Sequence, residues 1–454
     1  MNITKKSFYL FFILLILAVS IRACLFYTYW GSERHGSAVE YGSAAIGLFY
    51  SEKLTINKSE QKKIRNVTTN YSGNYLSFHD VENRKTFTEF LPGPSILLYS
   101  LWKVLPIYNF SPYIWLQIIL ESFLISIFYF TFRHIDKTIV LTATILMAIN
   151  PVAIKYTLTM GYDFWPHFCV LVNFIGIAIA LKKQKPGFIL FLTGILTGIT
   201  IWSRSITSIL PFYIFIFLLL YWRLKDKVNY RKIGINATLY LLAVIISMAS
   251  LSVYRYEQTG SYRPTRSTFW HSFWAGVGQF SNPYDLPSND IAIWKFGQKL
   301  NRELKNYSLW KMYDTPDSPY EQTLKAEAFR FIKGHPHLFV RNIIYRIAIM
   351  ISPVMYHGGD VISKSLAPYF FYFGFVLLII WFLGMYALFK HSRLIFWLSV
   401  TIYSYFFSTI GCFYVVGRAI LPFLFINIFV YLFGLQFCIR SVKGWKVHAI
   451  GATT

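Results

Sequence analysis

The sequence predicts an all-α polytopic membrane protein of about ten transmembrane helices, with two long outer-face loops that contain interfacial helices. Three observations lead to this fold class. Of the 454 residues, 55% are hydrophobic and only 14% are charged, whereas soluble proteins carry about 25% charged residues. Apolar runs of about 20 residues, the length that spans a bilayer, recur along the chain. Much of the formal net charge of +24 lies in short segments between these runs, a pattern typical of cytoplasmic loops.

The first apolar run, residues 7–28, follows Lys5 and Lys6. It is longer than the core of a signal peptide and lacks a small-residue cleavage site, so we expect a retained first span. The other predicted spans are residues 113–132, 138–155, 164–181, 187–203, 206–222, 233–254, 368–389, 394–414 and 419–438. The four cysteines show no paired spacing, which argues against a disulfide framework or a zinc site.

Two further apolar stretches decide the orientation in the membrane, because counting either as a span would invert the orientation of every segment after it. Residues 92–107 open with the two prolines Pro92 and Pro94 and contain Lys103, and residues 337–354 carry two arginines. With both left out, the short segments on one side hold a large excess of basic residues over Asp136 and Asp226. This bias favours cytoplasmic termini, with the two stretches as interfacial or re-entrant helices on the outer side.

This layout divides the chain into three parts. Residues 1–254 form an N-terminal transmembrane catalytic module with a first outer loop at 30–112, residues 255–367 form the second outer loop, and residues 368–454 form C-terminal transmembrane helices with a cytoplasmic tail. Outer loops of this length are too long to be simple connectors. We therefore expect function where the loops meet polar residues at the ends of spans.

Two acidic residues on the predicted outer side are candidates for chemistry. Glu40 and Tyr41 begin a segment with the apolar spacing of a short amphipathic helix. A carboxylate at a dry membrane boundary can act as a general base, although a solvated glutamate is also favoured at a helix start. Asp163 lies in the corner between two spans, where it is either a second functional carboxylate or a helix N-cap.

Basic residues at two span ends suggest an anion site. Arg204 and Arg418 each stand beside a span with almost no loop around them. A guanidinium in that position extends to lipid headgroups or binds a phosphate presented from the bilayer. Glu121 and Arg22 lie within predicted spans. Burying a charged group in a membrane costs free energy, so such residues usually have a function, but the sequence assigns these two no role.

The second outer loop contains a segment dense in Trp, His and Gly around His271. Aromatic faces with polar edges bind a sugar or bury a loop equally well, and no ligand spacing supports a metal site there.

The order of several segments resembles a known family. The segment VEYGSAAIGLF follows the first span, and LPGPSILLYSL closes the first loop. A span ending in Asn150-Pro151, the corner acid Asp163, the span-end segment WSRS and the late pattern RxxLP follow in turn. This series resembles the GT-C superfamily of membrane glycosyltransferases, especially the family 39-like bacterial branch related to protein O-mannosyltransferases and the aminoarabinose transferase. The resemblance covers most of residues 1–220 and 395–454.

The resemblance implies a glycosyltransferase that moves a sugar from a polyprenyl-phosphate donor to a glycan, lipid or protein acceptor, without nucleic acid. It places the enzyme in the plasma membrane of a bacterium, with the active site on the outer face. Glu40 would be the general base, with Glu33 as the alternative, and Asp163 would orient the acceptor, assist the base or hold a cation. Arg204 and Arg418 would bind the lipid phosphate as it leaves. No cofactor is certain, and a divalent cation remains an open alternative.

Tyr41 and His271 are grouped with these substrate-binding residues. The sequence departs from the family where many members carry an acidic residue, because Ser37 and Ala38 stand there. It also lacks the lysine that one branch has before its paired prolines. The alternative function is a transporter, flippase or polymerase of lipid-linked surface oligosaccharides. Two features favour the enzyme over a transporter with inverted repeats. The acidic residues lie mainly in two long outer loops, and the number of spans before the second loop differs from the number after it.

Overall fold

The computed structural model describes residues 5–28, 45, 92–105, 107, 110–159, 163–182, 186–225, 230–259, 262, 269–306, 318–352, 367–411 and 421–451. This part of the chain is all-helical, with no strand in it, which confirms the predicted class there. The α-helices are, in chain order, α1 (Lys5–Thr28), α2 (Gly93–Val104), α3 (Ser111–Phe132), α4 (Lys137–Ile149), α5 (Pro151–Thr157), α6 (Phe164–Ala180), α7 (Gly187–Ile201), α8 (Leu210–Lys225), α9 (Tyr230–Thr259), α10 (Phe269–Val277), α11 (Asp290–Leu300), α12 (Pro319–Gly334), α13 (Pro336–Ile351), α14 (Ala367–His391), α15 (Arg393–Thr409) and α16 (Leu424–Gly451). Short 3-10 turns lie at Ser205–Thr207, Arg302–Asn306 and Leu421–Phe423.

Five of these helices, α1, α3, α9, α14 and α16, contain stretches long and apolar enough to cross a membrane, counting only the described residues. Large apolar side chains on α1, such as Ile13 (59% exposed) and Ile16 (60% exposed), point away from the rest of the protein. Exposed apolar surface on this scale fits contact with lipid rather than water. The long apolar helices are those of a helical membrane protein, but helices α6, α7 and α8 are apolar and shorter, so the number of ten spans stays a prediction.

Helices α4 and α5 form a sixth candidate span if they are counted together, with a bend of 51° between them. The bend lies at Asn150-Pro151, where the proline has no N–H to continue the hydrogen-bond ladder of α4. The side chain of Asn150 instead accepts hydrogen bonds from the N–H groups of Val152 and Ala153, at 3.0 and 3.1 Å. The Asn-Pro pair thus ends one helix and caps the next.

The apolar residues form two cores in the described part of the chain. The larger core joins α1 to α9 with α14 to α16, and the smaller one lies between α10, α11 and α12, within the predicted second outer loop. Helix α13 connects them, because its last residues enter the larger core while the buried Arg346 donates to the carbonyls of Gly276 (2.6 Å) and Gly411 (3.1 Å). The smaller core is therefore fastened through α13 to the helices of the larger core.

Two reciprocal glycines allow the close crossing of α14 and α16. A Cβ on Gly384 would lie 2.0 Å from the carbonyl oxygen of Val430, and a Cβ on Gly434 would lie 2.1 Å from that of Ile380. Close backbone approach through small residues is the usual means by which membrane helices gain packing energy.

Polar contacts fasten the opposite ends of the helices, on the predicted cytoplasmic side. The Nζ of Lys182 donates to the carbonyl of Thr131 at 2.9 Å, and burial lowers the pKa of this amine to about 8. Asp136 caps α4 and also accepts from Gln436 of α16 at 2.9 Å. These contacts set the relative depth of α3, α4, α6 and α16.

Candidate functional site

Asp163 and Arg204 form an ion pair at the predicted outer corner of the bundle. Asp163 immediately precedes α6, Arg204 follows α7, and the Nη1 of Arg204 donates to the Oδ1 of Asp163 at 3.0 Å. The Asp163 side chain is 6% exposed and that of Arg204 is 26% exposed. The carboxylate makes no capping hydrogen bond to the first turn of α6. The structure thus joins two residues that the sequence singled out separately, 41 positions apart.

The proline-led helix α2 docks against the same corner. The backbone N–H of Gly93 donates to the carbonyl of Trp202 at 2.8 Å, two residues before Arg204. A Cβ on Gly93 would lie 2.5 Å from the Oγ of Ser203 and 2.7 Å from the carbonyl carbon of Trp202, so the contact needs glycine. The LPGPS and WSRS segments, which the sequence placed in separate loops, meet here.

A row of polar side chains runs from this corner into the bundle along one face of α3. Tyr113, Gln117 and Glu121 are spaced four residues apart and therefore share a helix face. The Tyr113 hydroxyl accepts from the Nε1 of Trp165 at 2.7 Å. The Gln117 amide, oriented to satisfy both carbonyls, donates to Thr157 at 2.8 Å and Thr159 at 3.2 Å.

The row ends in a buried ionic cluster formed by Arg22, Glu121, Thr157 and His167. The Nε of Arg22 donates to Glu121 Oε2 at 2.8 Å, and its Nη1 donates to the carbonyl of Ala148 at 2.9 Å. The Thr157 hydroxyl donates to the same Oε2, and His167 Nε2 lies 3.2 Å from Oε1. All four side chains are buried, and buried charges persist in proteins only when they are paired in this way.

A small cavity adjoins this ionic cluster. Its polar lining comes from Glu121, His167 and Asn150, and its apolar lining includes Met147 of α4 and Phe425 of α16. It has room for about one water molecule. The space is too small for a sugar or a lipid phosphate.

His271, which the sequence grouped with the substrate-binding residues, is buried in the smaller core. Its Nδ1 lies 2.8 Å from the hydroxyl of Tyr320 and its Nε2 lies 3.1 Å from Asp290 Oδ1. Glu321 accepts hydrogen bonds from the first backbone N–H groups of α10 beside it. Both ring nitrogens therefore have protein partners, and the role of His271 toward a substrate stays a prediction.

Glu40, Tyr41, Glu33 and Arg418 lie outside the described residues, so their placement is not part of this geometry. Ala45, from the same predicted amphipathic segment as Glu40, is described as helical and is fully buried in the larger core. Among the described residues there is no group of three or more His, Cys, Asp and Glu side chains that could hold a metal ion. A cation at Asp163 stays a prediction.

Sequence reasoning did not find the partners of the intramembrane charges. The two signals that point to them are the four-residue spacing of Tyr113, Gln117 and Glu121, and the presence of one arginine and one glutamate inside apolar helices. Thr157 and His167 carry no such signal, because threonine and histidine at helix ends are common for many reasons. Comparison of the sequence with protein-family models and with curated proteins found no match.

Proposed function

We propose that this chain is a membrane glycosyltransferase that moves a sugar from a polyprenyl-phosphate donor to an acceptor at the outer face. The observation that carries the proposal is the Asp163–Arg204 pair, a buried carboxylate holding a partly exposed guanidinium at the end of a membrane helix bundle. A guanidinium so placed can reach a phosphate at the level of the lipid headgroups. The order of segments that resembles the GT-C superfamily supports the same assignment.

The reaction is a displacement at the anomeric carbon of the donor. An acceptor hydroxyl gives its proton to Glu40 while its oxygen bonds to the anomeric carbon. The bond between that carbon and the phosphate oxygen breaks, and the phosphate leaves with the electron pair. Arg204 and Arg418 stabilise the charge that develops on the leaving phosphate, the kind of fixed electrostatic contribution that lowers barriers most.

Asp163 serves this step by holding Arg204. A guanidinium has five N–H donors in a rigid plane, so Arg204 can bond to Asp163 through Nη1 and to a phosphate oxygen through another edge. The carboxylate fixes the direction of that plane and thereby limits the side-chain freedom lost when the donor binds. Asp163 also lies at the outer end of α6, where it can orient an incoming acceptor.

The assignment is tested by measuring how the rate of sugar transfer by Arg204 variants depends on the concentration of the donor. In membranes supplied with labelled polyprenyl-phosphate sugar, Arg204→Ala is expected to raise the KM for the donor about tenfold or more, because a charge-assisted contact is worth about 1.5–3 kcal/mol. Arg204→Lys should recover only part of the loss, since an ammonium cannot bind bidentately. Arg330→Ala is the matched control, because Arg330 is a 78% exposed arginine that pairs with Glu327 in the second outer loop. Equal donor KM values in Arg204→Ala and the control would remove Arg204 from the phosphate site.

One observation favours the alternative of a flippase or transporter of lipid-linked oligosaccharides. Charged residues buried within a membrane bundle mark transport pathways in many carriers, and Arg22 and Glu121 are such residues. Their bonds, however, run to each other, to helix backbones and to the side chains of Thr157 and His167, and the adjoining cavity is smaller than a sugar. This arrangement favours a structural role in an enzyme over a translocation path.

A further inference from the structure

Helix α12 has the residue pattern of a helix that faces water. Its buried side packs in the smaller core and includes Tyr320, Leu324, Ala328 and Phe331. Its exposed side includes Lys325, Arg330 and Lys333, with Phe329 as the large apolar exception. Apolar residues on one side of a helix and charged residues on the other are typical of the surface of a protein in water.

Helix α13 follows directly and has the reverse pattern. Val340, Ile344 and Tyr345 are 52%, 58% and 50% exposed. The other side of the helix is buried and includes the polar side chains of Asn342 and Arg346. A helix in water would expose an amide and a guanidinium and would bury these three apolar side chains. The pattern of α13 is therefore that of a helix with lipid on its exposed side.

Both arginines of α13 donate to backbone carbonyls of the protein. Arg346 donates to Gly276 at 2.6 Å and to Gly411 at 3.1 Å, and Arg341 donates to Ser281 at 2.8 Å. Charged side chains in a membrane are turned toward the protein interior and its carbonyls in this way. The two guanidinium groups thus have partners that do not require water on the exposed side of the helix.

The neighbours of α13 also favour lipid as the medium that covers it. Its last residues enter the larger core, and the helix packs against α14. Helix α14 is one of the candidate membrane spans, and its own exposed residues include Phe375, Val376 and Ile379. Two helices in contact with each other therefore both expose large apolar side chains, and the same acyl chains can cover both.

We propose that the exposed apolar side of α13 docks into the bilayer against phospholipid acyl chains, and that the junction of α12 and α13, residues 334–336, lies at the membrane surface. The sequence left an interfacial and a re-entrant helix as alternatives here and did not show which side lipid would cover. The opposite patterns of α12 and α13 supply both the side and the level. Lys333, exposed in the last turn of α12, is then placed to contact lipid headgroups.

This contact goes beyond the proposed function, because it holds whether or not the chain transfers a sugar. Its consequence is that the smaller core rests on the membrane surface and does not project into water on a free connection. The two attachments are the apolar side of α13, which lies in lipid, and Arg346, which binds the end of the helix bundle.

A fluorescent label on single cysteines measures the level of each helix. Cys24, Cys412 and Cys438 are replaced by serine, and Cys169 is kept because it is fully buried. Each full-length variant is labelled with the environment-sensitive dye NBD and reconstituted into liposomes of phosphatidylcholine and phosphatidylglycerol. Iodide in the buffer quenches a label in water, and nitroxide groups on the acyl chains quench a label in lipid.

The labels are placed by Ile344→Cys and Val340→Cys on α13, with Lys325→Cys on the exposed side of α12 as the matched control. All three side chains are exposed, so the substitutions leave the packing of the protein unchanged, and thermal unfolding in detergent checks this. We expect both α13 labels to be quenched by the nitroxide lipids, at a depth of about 5–10 Å below the headgroups. Their quenching by iodide should be about tenfold weaker than that of the control label, since an anion enters the bilayer at high cost.

Iodide quenching of the α13 labels as strong as that of the control would place α13 in water and overturn the inference. Protection of both α13 labels from iodide and from the nitroxide lipids would also overturn it, because a protein partner or a second copy of the chain would then cover this side. Nitroxide quenching of the Lys325→Cys label as well would show that residues 334–336 are not at the membrane surface. If one α13 variant fails to fold, the other reports on the same side of the helix.

Discussion

Replacing Arg22 with leucine is expected to lower the free energy of unfolding by about 3–5 kcal/mol, the usual cost of removing one partner of a buried ion pair. The guanidinium donates to Glu121, 99 residues away in sequence, and to two helix carbonyls. Without it, Glu121 is a buried carboxylate held only by Thr157 and His167. The expected result is a protein that accumulates poorly in the membrane and unfolds at a much lower temperature in detergent.

The double variant Arg22→Leu with Glu121→Leu distinguishes a lost charge balance from lost packing. Replacing both members of a buried pair with apolar residues of similar size is often neutral or stabilising, so most of the lost stability should return. Arg330→Leu is the surface control and should change stability by less than about 0.5 kcal/mol. An Arg22→Leu protein as stable as this control would show that the buried pair contributes nothing to the fold.

Replacing Glu40 with glutamine is expected to lower kcat for sugar transfer about 100- to 10,000-fold, the usual contribution of a general base. The substitution keeps the size of the side chain and removes only its ability to take a proton. The donor KM should change little, because the proposed phosphate contacts come from Arg204 and Arg418 and not from Glu40. The measurement is transfer of labelled sugar by membranes adjusted to equal amounts of protein.

Glu33→Gln is the matched comparison for Glu40→Gln, because Glu33, seven residues earlier in the predicted first outer loop, is the alternative base. Loss of activity in Glu33→Gln alone would move the base to Glu33 and keep the mechanism. Wild-type transfer by both variants would contradict the assignment of the base to this segment.

Much of the helical layout could be predicted from the sequence, because apolar runs report directly on burial in lipid. Each predicted span contains a helix in the described structure, and the stretches 92–107 and 337–354 contain helix α2 and most of helix α13. The bend at Asn150-Pro151 follows from local chemistry that the sequence displays. The number of spans is harder to predict. Helix α7, for example, has 15 residues and is only about 22 Å long, which is shorter than a bilayer core of about 30 Å.

The candidate site was only partly predictable. The sequence singled out Asp163 and Arg204 from their positions at span ends, and the orientation placed both on one side. Their pairing needs the packing of α6 against α7, which no local pattern reveals. Likewise, the charges of Arg22 and Glu121 are visible in the sequence, but their bond depends on the packing of α1 against α3. The contacts of His167 could not be predicted from its own segment, because its partners lie in α3 and directly before α16.

The central claim is that the chain breaks the bond between a sugar and a polyprenyl phosphate, rather than moving the intact donor across the membrane. The most direct measurement uses purified protein in liposomes containing labelled polyprenyl-phosphate sugar, with envelope glycan and membrane lipid supplied as acceptors. The account predicts that one polyprenyl phosphate is released for each sugar transferred, and that Glu40→Gln abolishes both. Intact donor appearing in the opposite leaflet, without release of polyprenyl phosphate, would contradict it and identify a flippase.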